Sequence, residues 1–503
     1  MVTEAAAGLF GLEDQVSRRG ARRGARTGTP GCPADRRRVW LRRLSPVLLA
    51  IVLLLAGAGP ASAHAGLVVS DPPAGAVLAG GPGSVGLRFT EVVEPGQSEI
   101  VVAGPDRRRL DGVRARRDPQ DASRLVAALP AGLDRGTYTV RWRVLSIDGH
   151  PTDGGFRFAI GAPTLPLAGG LGGSGSGPTA LGGAGRALTD VGLLALVGLA
   201  AFPWLVLRPA VRGLPAQHVD STRAQVLLRL LPWQLGAVGF AAVGSLLLLL
   251  DTTAQARGFA PSAVAGHLGD VGALLTGSRP GRLFGVRLFG LVVVLVALLL
   301  QRRKATRGGG SGIALAALPV LLLLTVSLAS HASAAAVDAP LAVVMDWSHL
   351  IAAGVWTGGL LALALAALPA ARDLMRRDQS AAADTAAALT RSFASAAQAC
   401  MVAVLVTGAY PALVHLDRLA DLRASWGVEL VVKLALWVTV LLVATVNTFS
   451  IVPRMSERAA SVSARLVACG DLASAVRVEL VLAGALLSVA AVLAGTAPPD
   501  QVV

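Results

Sequence analysis

The chain has 503 residues, room for more than one domain. Hydrophobic residues make up 53% and charged residues 15%, mean hydropathy is +0.61, and several apolar runs are long enough to cross a bilayer, so an ordinary soluble protein is excluded. The net charge of +15 comes from 46 basic and 31 acidic residues; the basic clusters alternate with apolar runs and lack a nucleic-acid-binding motif, so they read as membrane topology and no nucleic acid is expected.

Residues 1–38 are rich in Arg and Gly without periodicity and are expected to be disordered. Residues 39–63 read as a secretory signal peptide. A basic flank, Arg36 to Arg43, precedes a short apolar stretch from about Pro46 to Gly59, and Ala61-Ser62-Ala63 forms an A-x-A cleavage site. Cleavage after Ala63 makes His64 the new N-terminus. A retained anchor helix is the alternative, but the run is short for a span.

Residues 64–160 read as a small exported β domain, a sandwich or barrel of Ig-like Greek-key type. Its strands are expected at 85–89, 99–102, 123–127, 137–144 and 155–160, separated by turn residues such as Pro72-Pro73, Gly80-Gly81 and Gly149. The three cysteines, Cys32, Cys400 and Cys469, all lie outside it, so a metal here must be held by nitrogen and oxygen. A Gly/Ser/Pro linker over 161–186 is expected to let the domain move over the membrane.

Residues 187–496 read as an all-α membrane domain of about eight helices, near 187–207, 227–250, 283–300, 313–330, 341–369, 393–414, 428–451 and 478–496, followed by an outer tail at 497–503. Every second loop is basic. Arg208 and Arg212, Arg302-Arg303-Lys304, Arg372 and Arg376, and Arg454 and Arg458 follow the odd-numbered spans. An exported N-terminal domain and eight spans put all of these loops in the cytoplasm, as the positive-inside rule requires. The expected location is the cytoplasmic membrane, with the β domain on its outer side.

A mature N-terminal histidine offers its α-amine and its imidazole to one metal, an N-rich tetragonal chelate that suits Cu(II). His150 of Ser146-Ile147-Asp148-Gly149-His150 adds a second imidazole and Asp148 an oxygen. These residues lie in stretches that resemble the CopC copper-binding proteins: His64-Ala65-x-Leu67, Ser70-x-Pro72-x-Ala74-Gly75, Phe89-x-Glu91, and Tyr138-x-Val140-x-Trp142-x-Val144-x-Ser146-x-Asp148-Gly149-His150. The resemblance implies Cu(II) ligation by His64, Asp148 and His150. Residues 64–160 contain no methionine, so the methionine-rich Cu(I) site of some members is not expected. Glu91 is either a hydrogen-bonding group near the ligands or a solvated carboxylate.

The membrane half has its own constellation. Ser330-His331 closes the fourth expected span and Asp346-Trp347-Ser348-His349 opens the fifth. Asp346 and His349 share a helix face with Trp356, and His349 lies roughly 12 Å below the outer end of its span at 1.5 Å per residue. Ionisable residues at such depth usually face a polar interior with a partner. Gly354 and Gly358 have the spacing that lets two helices approach closely. This half resembles the CopD copper-resistance proteins through Ser330-His331, Asp346-x-x-His349, Gly354-x-Trp356-x-Gly358-Gly359-Leu360, Thr407-Gly408, Lys433 and Arg477-x-Glu479. Lys433 can also be read as snorkelling, and Arg477 and Glu479 as marking the inner end of span eight.

The joint expectation is copper uptake or homeostasis by a non-enzymatic protein. An outer Cu(II) site (His64, Asp148, His150) delivers to a membrane copper site (His331, Asp346, His349), with the copper ion and the membrane as partners and a further chaperone or a reductase left open. Six of the seven histidines (64, 150, 267, 331, 349 and 415) fall on the outer side and only His218 on the inner. Two alternatives are a copper oxygenase using a histidine brace and a membrane cytochrome with His331 and His349 on haem. The first lacks a substrate surface; the second lacks paired histidines on several spans. No P-loop is present, which argues against a nucleotide-driven pump.

Overall fold

The computed structural model describes residues 66–167, 179–305, 314–334, 339–375, 378–415, 425–457 and 460–493. The basic extension, the signal segment, His64, residues 168–178 of the linker and the 497–503 tail lie outside the described residues.

The first domain is built from β1 (Leu67–Asp71), β2 (Val77–Leu78), β3 (Ser84–Phe89), β4 (Glu99–Ala103), β5 (Ala115–Arg117), β6 (Arg124–Ala128), β7 (Gly136–Leu145) and β8 (Pro151–Ile160). They form two four-stranded sheets in the orders β1-β3-β6-β5 and β2-β8-β7-β4, a sandwich and not a closed barrel. Along β7 the alternation of Tyr138, Val140, Trp142 and Val144 sends four side chains inward, since successive residues of a strand face opposite ways. They pack with Val85, Leu87 and Phe89 of the other sheet, and Phe89 stands edge-on to Trp142 with ring centroids 5.1 Å apart. Gly154 lies across from Trp142, and any Cβ there would fall 2.5 Å from the indole, so β8 needs glycine at that position.

The helical domain comprises α1 (Ala180–Val211), α2 (Ala216–Arg257), α3 (Leu268–Gly277), α4 (Arg279–Ala305), α5 (Ala314–Ser327), α6 (His331–Ala334), α7 (Ala339–Leu374), α8 (Gln379–His415), α9 (Ser425–Val446) and α10 (Val462–Leu493). Among the described residues six helices are long and apolar enough to cross a membrane: α1, α2, α4, α7, α8 and the Leu430–Met455 stretch that begins in α9. Of the other two expected spans, α5 is shorter, and α10, which carries Arg465, Asp471, Arg477 and Glu479, is not among the six. Helix α1 packs against α2 and α7 through small residues. A Cβ on Gly358 would fall 2.7 Å from the Ala195 carbonyl oxygen and 2.8 Å from Gly198 Cα, so the two backbones meet there.

The sandwich rests on the helices. Leu145, the last residue of β7, turns away from the sandwich core and is fully buried with Leu249 and Ala256 of α2, Leu274 of α3 and Phe284 of α4. The Gln97 side-chain amide donates to Ala273 O at 3.3 Å, and the Arg279 N–H donates to Glu94 Oε1 at 3.1 Å. The structure shows the sandwich in a docked position. The seam depends on α3, a helix within the 251–282 connection that has too little apolar length to register as a span.

Candidate functional site

The β7–β8 connection carries the Asp148-Gly149-His150 motif. Its backbone closes through Gly149 N–H to Ser146 O and Ser146 N–H to His150 O, both at 3.0 Å. Gly149 has φ +94°, a left-handed conformation that glycine adopts without steric cost. The turn folds Asp148 inward. Its buried carboxylate accepts from the His150 N–H at 3.1 Å and from the Ser146 hydroxyl, and its second oxygen lies 2.8 Å from His150 Nδ1. The segment after β3 runs alongside: Ile147 N–H donates to Val92 O at 3.1 Å, Val93 pairs with Ser146, and Glu91 is buried.

The motif also lies at the docking seam. Gly149 lies against Pro280, which starts α4, with 3.4 Å between its Cβ position and the ring. His150 Nε2 is 2.6 Å from Nη2 of Arg186 on α1. A guanidinium only donates hydrogen bonds, so Nε2 must accept here, and Nδ1 carries the ring proton and gives it to Asp148. Of the three expected outer ligands, Asp148 and His150 are thus brought together, while His64 lies outside the described residues. Among the described residues no group of three or more His, Cys, Asp or Glu side chains is placed to hold a metal.

In the helical domain Asp346 and His349 both project from α7. His349 Nδ1 is 3.0 Å from the Thr407 hydroxyl of α8, and that hydroxyl gives its own proton to Ala403 O at 2.6 Å. Thr407 therefore accepts from Nδ1–H, which leaves the imidazole lone pair on Nε2. Gly408 makes room for the ring: a Cβ there would lie 3.3 Å from His349 Cε1. The Ser330 hydroxyl donates to Ser327 O at 2.8 Å and lies 3.5 Å from the Asp346 carboxylate, and Lys433 of α9 acts electrostatically on both Asp346 and His349. His331 starts α6, one residue after Ser330, and its side chain lies outside the described residues. Glu479 is buried and accepts from the Asn447 amide, facing a cavity of about 330 Å³ that Trp356 and Met401 also line, whereas Arg477 is exposed.

Three charged residues were missed from sequence. Asp190 of α1 interacts electrostatically with Arg186, with the buried Arg287 of α4 and with Asp346. Arg287 also donates to the Thr325 hydroxyl at 2.8 Å and to Thr325 O at 2.9 Å. Asp190 is thus attracted by the two arginines and repelled by the Asp346 carboxylate. The available signal was Arg186-x-x-x-Asp190 at the start of an apolar helix, two charges on one face where charge is costly.

Comparison with known proteins gives three family matches along the chain: the CopC domain over residues 67–161, the copper resistance protein D-like N-terminal domain over 179–339, and copper resistance protein D over 387–493. Protein YobA of Escherichia coli is 39% identical over 98 residues, 20% of this chain and 79% of that protein. Copper resistance protein C of Xanthomonas campestris pv. juglandis is 31% identical over 124 residues, 24% of this chain and 96% of its own. Copper transport protein CutJ of Bacillus subtilis is 28% identical over 310 residues, 60% of this chain and 53% of its own.

Proposed function

Because this chain belongs to the copper-resistance family, with a CopC domain joined to a CopD membrane domain, we propose that it captures Cu(II) on the outer face of the cytoplasmic membrane and passes copper into its helical domain for uptake or homeostasis. Copper is the cargo. The donors proposed for capture are the His64 amine and imidazole, the Asp148 carboxylate and His150, a nitrogen- and oxygen-rich set without thiolate that suits Cu(II). Asp148 has a second task. It holds the His150 ring through Nδ1, as partners one step removed from a metal commonly do. The receiving site is proposed at Asp346 and His349, with His331 joining from α6, in a membrane domain of eight spans whose basic loops face the cytoplasm. Its role is transport, with no bond made or broken in a substrate.

The observation that carries this reading is the position of the histidine turn. The motif sits where the sandwich meets α1 and α4, with His150 against Arg186 and Gly149 against Pro280. Equilibrium Cu(II) binding and electron paramagnetic resonance on the purified, signal-cleaved protein test it. One tightly bound Cu(II) with nitrogen hyperfine structure is expected, and His150→Ala should weaken it. Cu(II) bound equally well by His150→Ala would overturn the outer site.

A further inference from the structure

In the docked arrangement the ring of His150 has no lone pair to offer. A neutral imidazole carries one donor nitrogen and one acceptor nitrogen. Arg186 Nη2, at 2.6 Å, occupies the acceptor Nε2, and the remaining proton sits on Nδ1, 2.8 Å from Asp148. A copper ion bound through either nitrogen must displace one of these two contacts. The guanidinium also brings a permanent positive charge to the place where a cation would bind. Arg186 belongs to the helical domain, whereas Asp148 and His150 belong to the sandwich, so the competition exists only while the two are docked. Asp190 lies one turn along α1 and attracts Arg186 in this same docked arrangement.

We propose that Arg186 is the displacing group of the copper handover: when the loaded sandwich docks, the guanidinium takes the His150 lone pair and releases the metal toward the helical domain. The inference rests on the outer site proposed above. A cation that binds only the empty histidine shifts the equilibrium toward the empty, docked state, and a metal that binds only the undocked histidine shifts it back. Docking and copper occupancy at His150 are therefore antagonistic, and removing the arginine weakens that antagonism. No redox step is involved. Cu(II) exchanges nitrogen and oxygen ligands, while Nδ1 keeps its proton on Asp148 and only the Nε2 lone pair changes partner, from the metal to Arg186.

The test uses the full-length, signal-cleaved protein in detergent, titrated with Cu(II) against a chromophoric chelator. A contact of this charge-assisted kind predicts that Arg186→Gln binds Cu(II) about ten- to a hundredfold more tightly than wild type, while copper accumulation by cells falls. Arg186→Lys retains charge but not the planar fork, and should fall between the two. Tighter binding is the opposite of what a fold damaged by the substitution gives, which separates the displacing role from a structural one. If His150-dependent binding is present and equally tight in wild type and Arg186→Gln, the displacement inference is overturned and the outer site stands. If neither protein binds Cu(II) in a manner weakened by His150→Ala, the outer site itself fails and the inference falls with it.

Discussion

Gly358→Ala should damage the helical domain by adding a single methyl group. At Gly358 a Cβ would lie 2.7 Å from Ala195 O, 2.8 Å from Gly198 Cα and 2.9 Å from Leu194 O, all backbone atoms of α1 that cannot rotate aside. An ordinary contact begins near 3.4 Å, so α1 and α7 must part by about 0.7 Å at the crossing, the difference between 3.4 Å and the 2.7 Å to Ala195 O. Overpacking of this kind costs about 1–3 kcal/mol. The separation also disturbs the approach of α1, which carries Arg186 and Asp190, to α7, which carries Asp346 and His349. Thermal unfolding in detergent should show a clear fall in midpoint, and copper accumulation should drop with it. Gly354→Ala, where the nearest atom is 3.2 Å away, should be milder. Gly239→Ala on α2, with nothing within 4 Å, should be neutral or slightly stabilising because alanine is the better helix former by about 1 kcal/mol. A Gly358→Ala protein that unfolds with wild type and transports normally would refute the close crossing.

Asp148→Asn should weaken Cu(II) binding by at least about tenfold, since it removes a carboxylate ligand and the partner that orients His150; chelator competition measures this, and wild-type affinity would leave Asp148 a purely structural residue. One extra residue before His64 should weaken binding strongly by converting the free amine to an amide. Equal affinity would remove the amine from the ligand set. Cu(II) affinity should also fall as pH drops from 8 to 5, because amine and imidazole nitrogens must be free of protons to ligate a metal; a flat titration contradicts nitrogen ligation. Thr407→Val removes the acceptor for His349 Nδ1–H and should lower copper accumulation without altering Cu(II) binding by the outer site, which uptake and binding assays report separately.

Much of the architecture was legible because it rests on repeating patterns. Strands β3, β4, β6 and β7 and most of β8 lie where the short β-rich runs put them. Strands β1 and β5 were not read: Leu67–Asp71 pairs with β3 while keeping two valines exposed, and Ala115–Arg117 is short and charged, so neither carries the alternation of a half-buried strand. The start of β8 was hidden by Gly154, which serves the packing of Trp142. In the helical half the apolar runs found the cores of the helices but not their ends; α2 reaches Ala216 and Arg257, and α8 starts at Gln379, because polar turns continue helices beyond the apolar stretch. The site was partly legible. Asp148 and His150 carry their own turn chemistry, and Asp346 and His349 stand out as charge in an apolar run. Arg186 and Asp190 acquire meaning only from docking, a relation between segments 36 residues apart at their closest contact, and no local pattern encodes it.

The central claim is that copper passes through two sites in series, one centred on His150 and one on His349. Copper accumulation in cells expressing wild type, His150→Ala, His349→Ala and the double variant at equal membrane levels tests it most directly. Each single change should reduce accumulation to nearly the level of cells lacking the protein, and the double variant should fall no further, because a path broken once is already closed. Wild-type accumulation by either single variant, or two partial losses that add in the double, would contradict a serial path.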